Sequence, residues 1–195
     1  MPRKSREISP TGAYHFINRG VNKKHIFHKA GDYERYMQLV KEYAREFKIE
    51  IYHYCLMVNH THFLLKTEDL SLLSKFGHFV HRRYAYYYCK AYQWPEQVFR
   101  RRFVSIPIED DAHFLECGRY IERNPLEAGL VDDLRNYSFT SYSYYAYNEL
   151  NPLITSSPVY ESLSNQPHER RAAYRLYVTQ NRKNESTFAT LTCPF

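Results

Sequence analysis

Along the first two-thirds of the chain the spacing of apolar residues switches repeatedly between two periods, and the order of those switches restricts the fold more than composition does. GAYHFIN (12–18) alternates, with His15 and Ile17 on one face and Tyr14 and Phe16 on the other, as a half-buried strand requires. After the basic loop RGVNKKH, residues Tyr33, Tyr36, Met37, Val40, Tyr43, Ala44 and Phe47 recur at helical spacing, which predicts an amphipathic helix with Asp32 as its N-cap. IEIYHYCLM (49–57) and HTHFLLK (60–66) are β-prone runs separated by Val58 and Asn59, a hairpin pattern. Apolar positions from Leu70 to Ala91 mark a second long helix closed by the Trp94-Pro95 turn, and FRRRFVSIP (99–107) alternates as a fourth strand. Residues 109–123 form a third helix that should stop near Asn124, because Pro125 disfavours the α conformation before it. Strand, helix, strand, strand, helix, strand, helix is satisfied by an α+β fold, a small ferredoxin-like antiparallel sheet with helices on one face.

The texture changes after residue 136. NYSFTSYSYYAYNEL is polar and aromatic without clear period, PHERRAAYRLYVTQ (167–180) is a separate helical piece, and the residues from Arg182 onward have the composition of a frayed end. The expected division is a domain over residues 1–147 and a helical appendage with a tail over 148–195. No apolar run approaches the ~20 residues that cross a bilayer, and the N-terminal stretch lacks a signal-peptide core, so no membrane partner and a cytoplasmic location are expected. Four cysteines stand far apart without a CxxC pair, which argues against a disulfide framework or a cysteine zinc site.

The formal net charge of +6 is unevenly spread: residues 69–108 carry seven basic and two acidic side chains, whereas 109–135 carry three basic and eight acidic. A basic body attracts phosphate backbones, and 20 tyrosines and 12 phenylalanines offer rings for unpaired bases, although solvated charges and a packed aromatic core account for the same counts. The candidate phosphate contacts are Arg19, Lys23 and Lys24 in the first loop and Arg82, Arg83, Arg100, Arg101 and Arg102 in the basic middle.

VNHTHFLLK (58–66) carries the most specific chemistry. Two histidines two residues apart project from one face of a strand, about 7 Å apart at the backbone, where both rings can converge on one ion. Two core or surface histidines remain the alternative, and a metal would need a third ligand from elsewhere. The Asp-His that a metallo-β-lactamase-type hydrolase needs after such a pair is absent, since Phe63, Leu64 and Leu65 follow. The other pairs, His25/His28 and His78/His81, are assigned to surface or groove positions.

YCLMVNHTHFLLK resembles the histidine strand of single-tyrosine HUH nucleases, specifically the REP-associated tyrosine transposases related to insertion-sequence-200-like transposases. YHFINRGVNKKHIF is similar to that family's opening strand and Arg-Gly-x-Asn loop, FRRRFVSIPIEDDAHFLECGRYIERNPLEAGLV to its strand and tyrosine helix, and NYSFTSYSYY to its closing aromatic segment. The resemblance implies that His60 and His62 are metal ligands, Asn124 the third ligand and Tyr120 the nucleophile, with Mg²⁺ or Mn²⁺ as cofactor. It implies cleavage and rejoining of hairpin-bearing single-stranded DNA through a 5′-phosphotyrosine, by a monomer or homodimer. Thr61, Val58 and the FRRRF segment depart from the family pattern without removing a ligand or the nucleophile. A non-catalytic hairpin-DNA-binding protein derived from a transposase is the competing class; an RNA-binding regulator would leave the histidine pair without a task.

Overall fold

Four runs of alternating side chains pair into one antiparallel sheet in the computed structural model, which describes residues 6–100 and 102–180. Strands β1 (Ala13–Arg19), β2 (Glu50–Met57), β3 (His60–Lys66) and β4 (Val104–Pro107) lie in the order β2-β3-β1-β4. β1 and β3 pair as His15↔Leu64, Ile17↔His62 and Arg19↔His60. Because strand side chains alternate, this register puts Tyr14, Phe16, Phe63 and Leu65 on one face and Ala13, His15, His62 and Leu64 on the other.

Helices α1 (Ala30–Glu46) and α2 (Leu70–Tyr92) cover the first face. Tyr36, Leu39 and Val40 from α1 meet Phe76, Val80 and Tyr84 from α2 over Phe16 and Phe63, and all are essentially inaccessible to water. Full burial of one such side chain is worth about 1.5–3 kcal/mol, so this layer dominates the stability of the sheet. Helix α3 (Asp111–Glu127) lies on the opposite face, packing Phe114, Cys117 and Ile121 against Cys55, Met57 and Leu64. The expectation of helices on one face is corrected: α1 and α2 cover one face, and α3 covers the histidine face, where Ala13 and Leu64 also need burial. Gly118 permits the close approach, since a Cβ there would lie 2.9 Å from His53 Nε2.

Three local expectations are corrected. Asp32 is not the N-cap: Lys29 holds that extended position, and the Asp32 carboxylate reaches back from the first turn to the N–H groups of His28 (2.8 Å) and Lys29 (3.1 Å). The fourth strand is shorter than 99–107. Between the Ile17↔Val104 pair and the Gly20↔Phe99 bridge β1 advances three residues and its neighbour five, so the regular ladder stops at Val104. Helix α3 also runs through Pro125 to Glu127. Pro125 has no N–H for the Ile121 carbonyl, but the Asn124 side-chain amide lies 3.4 Å from it and donates to the Tyr120 carbonyl at 2.7 Å.

The aromatic segment without clear period contains a short helix, α4 (Tyr142–Tyr147), followed by α5 (Pro158–Glu161) and α6 (Pro167–Thr179). These build a third core of Leu134, Tyr142, Tyr145, Tyr160, Tyr174 and Val178 behind α3. Among the described residues no helix is long and apolar enough to cross a membrane, and Cys55, Cys89 and Cys117 are free thiols. The expected frayed segment lies outside the described residues.

Candidate active site

The hairpin between β2 and β3 brings the histidine pair to one end of the sheet, beside the loop that follows β1. Gly20 N–H donates to the Asn59 carbonyl (2.9 Å), Ile26 N–H to the Val58 carbonyl (2.9 Å), and Asn59 Nδ2 to the Lys23 carbonyl (3.2 Å). Gly20 is needed for this closure, since a Cβ would sit 2.3 Å from the Lys24 carbonyl oxygen.

These contacts decide which ring nitrogens carry protons. Asn59 has its amide nitrogen committed to Lys23, so its Oδ1 accepts from His60 Nδ1–H at 2.6 Å, leaving a lone pair on His60 Nε2. His62 Nδ1 lies 2.8 Å from His15 Nε2, and among the described residues His62 Nε2 is buried without a hydrogen-bond partner. With the His62 Nδ1 proton donated to His15 a lone pair is left on His62 Nε2; the contact serves the reverse donation equally, since among the described residues His15 Nδ1 is buried without a partner just as His62 Nε2 is. Burial, reinforced by the Arg19 charge, pushes His60 down to about 4, against the opposing contact with the Asn124 side chain. Burial, then the His60, His15 and Arg19 charges, hold His62 well below the usual histidine range, and burial pushes His15 to about 3. All three rings are neutral at pH 7.

Helix α3 lays Tyr120 and Asn124 over this pair. The Tyr120 ring meets His62 edge-on at 5.7 Å and His15 at 5.9 Å. Asn124 spends its amide nitrogen on backbone carbonyls of its own helix, so the atom it turns to His60 is Oδ1. Two imidazole lone pairs and a carboxamide oxygen suit a divalent cation. Among the described residues no three His, Cys, Asp or Glu side chains cluster for a metal, and the oxygen that faces His60 is the Asn124 carboxamide.

The helix is held from behind by α6. Arg119 donates to the carbonyls of Tyr177 (2.9 Å) and Gln180, and Arg123 to that of Val178 (2.8 Å), serving the open carbonyls at the end of α6. Glu122, fully buried, accepts from Ser141 (2.6 Å) and Tyr174 (2.7 Å) and meets His53 Nδ1 at 2.9 Å.

The candidate phosphate contacts separate into groups. Arg19 lies beside the histidines, with its Nε buried and unpartnered among the described residues. Arg100 is next to it, its N–H on the Arg19 carbonyl (2.8 Å), while exposed Arg82 and Arg102 line a groove along α2. Lys23 is exposed in the first loop; Lys24 pairs with Glu96 (3.5 Å) over Trp94, and Arg83 bonds the Tyr43 hydroxyl (3.2 Å), so these two are engaged within the chain. Arg101 lies outside the described residues. His15 was missed as a site residue. Its alternation on the inner face of the first strand was the available signal, but its pairing beside His62 was not.

The family model described as "Transposase IS200 like" matches residues 9–124, more than half of the chain. The chain belongs to the IS200-like transposase family. Among solved structures, this IS200-like transposase is similar to a REP-associated tyrosine transposase bound to a REP hairpin, with a TM-score of 0.62 at 16% identity over 82% of this chain and 93% of that one. At that identity the likeness is one of fold. A Deinococcus radiodurans R1 protein, whose transposase role is itself inferred, matches 63% of this chain and 97% of its own at 14% identity with a TM-score of 0.43. A sequence search of curated proteins finds no match to this family member.

Proposed function

We propose that the protein is a metal-dependent transposase that cleaves and rejoins single-stranded DNA beside hairpins, with Tyr120 as nucleophile and His60, His62 and Asn124 holding Mg²⁺ or Mn²⁺. The observation that carries this reading is the orphaned, buried His62 Nε2 beside the lone pairs of His60 and Asn124, with a tyrosine one helical turn from Asn124. When bound, the ion supplies Lewis-acid stabilisation of charge on a non-bridging phosphate oxygen. Tyr120 gives its proton to solvent and attacks phosphorus: the Tyr–O–P bond forms, the P–O3′ bond breaks, and the departing oxygen takes up a proton from solvent to become a free 3′-hydroxyl. The 5′-phosphotyrosine conserves the bond, so a second 3′-hydroxyl reverses the step and joins strands. Arg19 supplies a fixed positive charge beside the histidines, and the neutral imidazoles keep their lone pairs throughout.

The hairpin on the REP-associated relative supports hairpin-bearing DNA as the substrate class. Such a substrate places the protein with chromosomal DNA in the cytoplasm, and attachment of α3 to α6 of its own chain favours a monomer. The test is incubation with hairpin-bearing single strands and Mn²⁺, followed by a denaturing gel and peptide mapping. A covalent adduct on Tyr120, absent with chelator or in His60→Ala, is expected. Tight binding without an adduct across several hairpins and metals would establish the non-catalytic class instead.

A further inference from the structure

The loop after β1 carries basic side chains, but it is its main chain that reaches the candidate site. Asn22 (φ 50°, ψ 34°) and Lys23 (φ 57°) both adopt the left-handed conformation that residues with a Cβ rarely take. Such strain persists where surrounding contacts over-determine it. Here the N–H groups of Gly20, Ile26 and Phe27 bond the Asn59 and Val58 carbonyls of the hairpin turn. Ile26 and Phe27 are buried in the α1/α2 core, and the Tyr84 hydroxyl donates to the Ile26 carbonyl at 2.6 Å. The turn so held delivers the Lys23 carbonyl to Asn59 Nδ2 at 3.2 Å. A carbonyl can only accept, so this contact fixes which end of the Asn59 carboxamide is nitrogen and turns its oxygen to His60 Nδ1, 2.6 Å away.

His60 thereby lies between two carboxamide oxygens, Asn59 Oδ1 from its own hairpin and Asn124 Oδ1 from α3, and a neutral imidazole has one N–H to give. Which oxygen takes that proton decides the state of the site. With the proton on Nε2, a hydrogen bond to Asn124 would close the gap between β3 and α3 and leave that nitrogen no lone pair for an ion. With the proton on Nδ1, the lone pairs of His60 Nε2 and Asn124 Oδ1 face each other, an arrangement that a cation between them relieves. Among the described residues the bond of ordinary geometry that His60 makes is the one to Asn59, which selects the second state.

We propose that Asn59 is a positioning residue for the metal site: braced by the Lys23 carbonyl, it keeps the His60 proton on Nδ1 and holds the gap between His60 and Asn124 open for a divalent cation. The inference rests on reading the protein as a metal-dependent transposase, but its first test needs no metal. In long-range ¹H–¹⁵N spectra of the full-length, metal-free protein, His60 should be the Nδ1–H tautomer. In Asn59→Leu, a side chain of similar size that can bond neither Lys23 nor His60, the proton should move to Nε2. Lys23→Pro, whose ring cannot take a positive φ, should produce the same move with Asn59 intact, whereas Lys23→Ala, which keeps the carbonyl, should not. His53 and His81, in other parts of the fold, report correct folding in the same spectra. Mn²⁺ affinity, followed by electron paramagnetic resonance, should fall about 10–100-fold in Asn59→Leu and Lys23→Pro and stay unchanged in Lys23→Ala. A wild-type proton on Nε2, or a proton that stays on Nδ1 in Asn59→Leu, overturns the brace and leaves Mn²⁺ binding as an independent result. A tautomer change with undiminished Mn²⁺ affinity overturns the role of Asn59 at the metal site. Wild-type protein that shows the Nδ1–H tautomer but takes up no Mn²⁺ overturns the proposed function, and the task of the brace with it.

Discussion

His15 accounts for more of the candidate site than its position in the sequence suggests. It sits 2.8 Å from His62 Nδ1 and so holds the orientation of the His62 ring. Outer partners of this kind typically change metal affinity by about 10–100-fold. His15→Ala should therefore raise the Mn²⁺ concentration needed for half-maximal adduct formation by about that factor, with much of the rate recovered at saturating Mn²⁺. Tyr120→Phe should remove the adduct at every Mn²⁺ concentration while hairpin affinity in a gel-shift titration stays within about twofold, since one hydroxyl contributes little to phosphate-dominated binding. A variant that loses affinity in parallel with activity would assign Tyr120 to DNA binding. Asn124 combines two tasks visible at this scale: its amide nitrogen serves helix carbonyls next to Pro125, and its oxygen is left for His60.

Among elements, α3 is the one both faces of the argument depend on. One side carries Tyr120 and Asn124; the other is fastened to α6 through Arg119, Glu122 and Arg123. Glu122 is a buried carboxylate whose oxygens are satisfied by Ser141, Tyr174 and His53, so removing one donor leaves charge under-bonded in a dry site. Tyr174→Phe should cost about 1.5–3 kcal/mol in urea unfolding, the range for a hydrogen bond to a charged group, without removing any group from the candidate site. A loss below about 0.5 kcal/mol would mean that the network rearranges around the missing hydroxyl. The mixed outcome for β4 has a related origin. FRRRFVSIP alternates as a strand should, but Phe99 and Phe103 both enter the α1/α2 core, and the regular ladder begins only at Val104. A period-two pattern cannot express that tertiary demand.

For the molecule as a whole, charge and burial govern response to solution conditions. With Arg19 beside the histidines as a phosphate contact, hairpin affinity should fall linearly with salt on a log–log plot, and Arg19→Gln should lower the slope by about one phosphate. An unchanged slope would remove Arg19 from the interface. Stability should also depend on pH through His81, half-buried among Phe16, Phe99 and Phe103 with its Nε2 shielded from water, and pushed down to about 3, chiefly by burial. Its folded pKa lies below the unfolded 6.5, so its neutral form contributes fully above pH 6.5, and stability falls as pH drops toward 3, by up to about 1.4 kcal/mol per pH unit. Urea unfolding at pH 7.5 and 5.5 checks this, and His81→Gln should reduce the difference by one histidine's share, since His15, His60 and His62 are depressed in the same direction and remain.

What the amino-acid order determined by itself was the succession of elements, the ferredoxin-like sheet they make, the histidine pair on one strand face, and the helical spacing of Tyr120 and Asn124. Each of these is a local property: side-chain period, turn chemistry and residue spacing act within a few neighbours along the chain. Tertiary structure decided what depends on distant segments meeting. Register across β1 and β3 placed His15 beside His62, the opposite sheet face received α3, the Asn124 amide compensated Pro125 within α3, and α6 closed over the back of the tyrosine helix. Those outcomes follow from burial and hydrogen-bond satisfaction between residues tens of positions apart, which no single window of sequence contains.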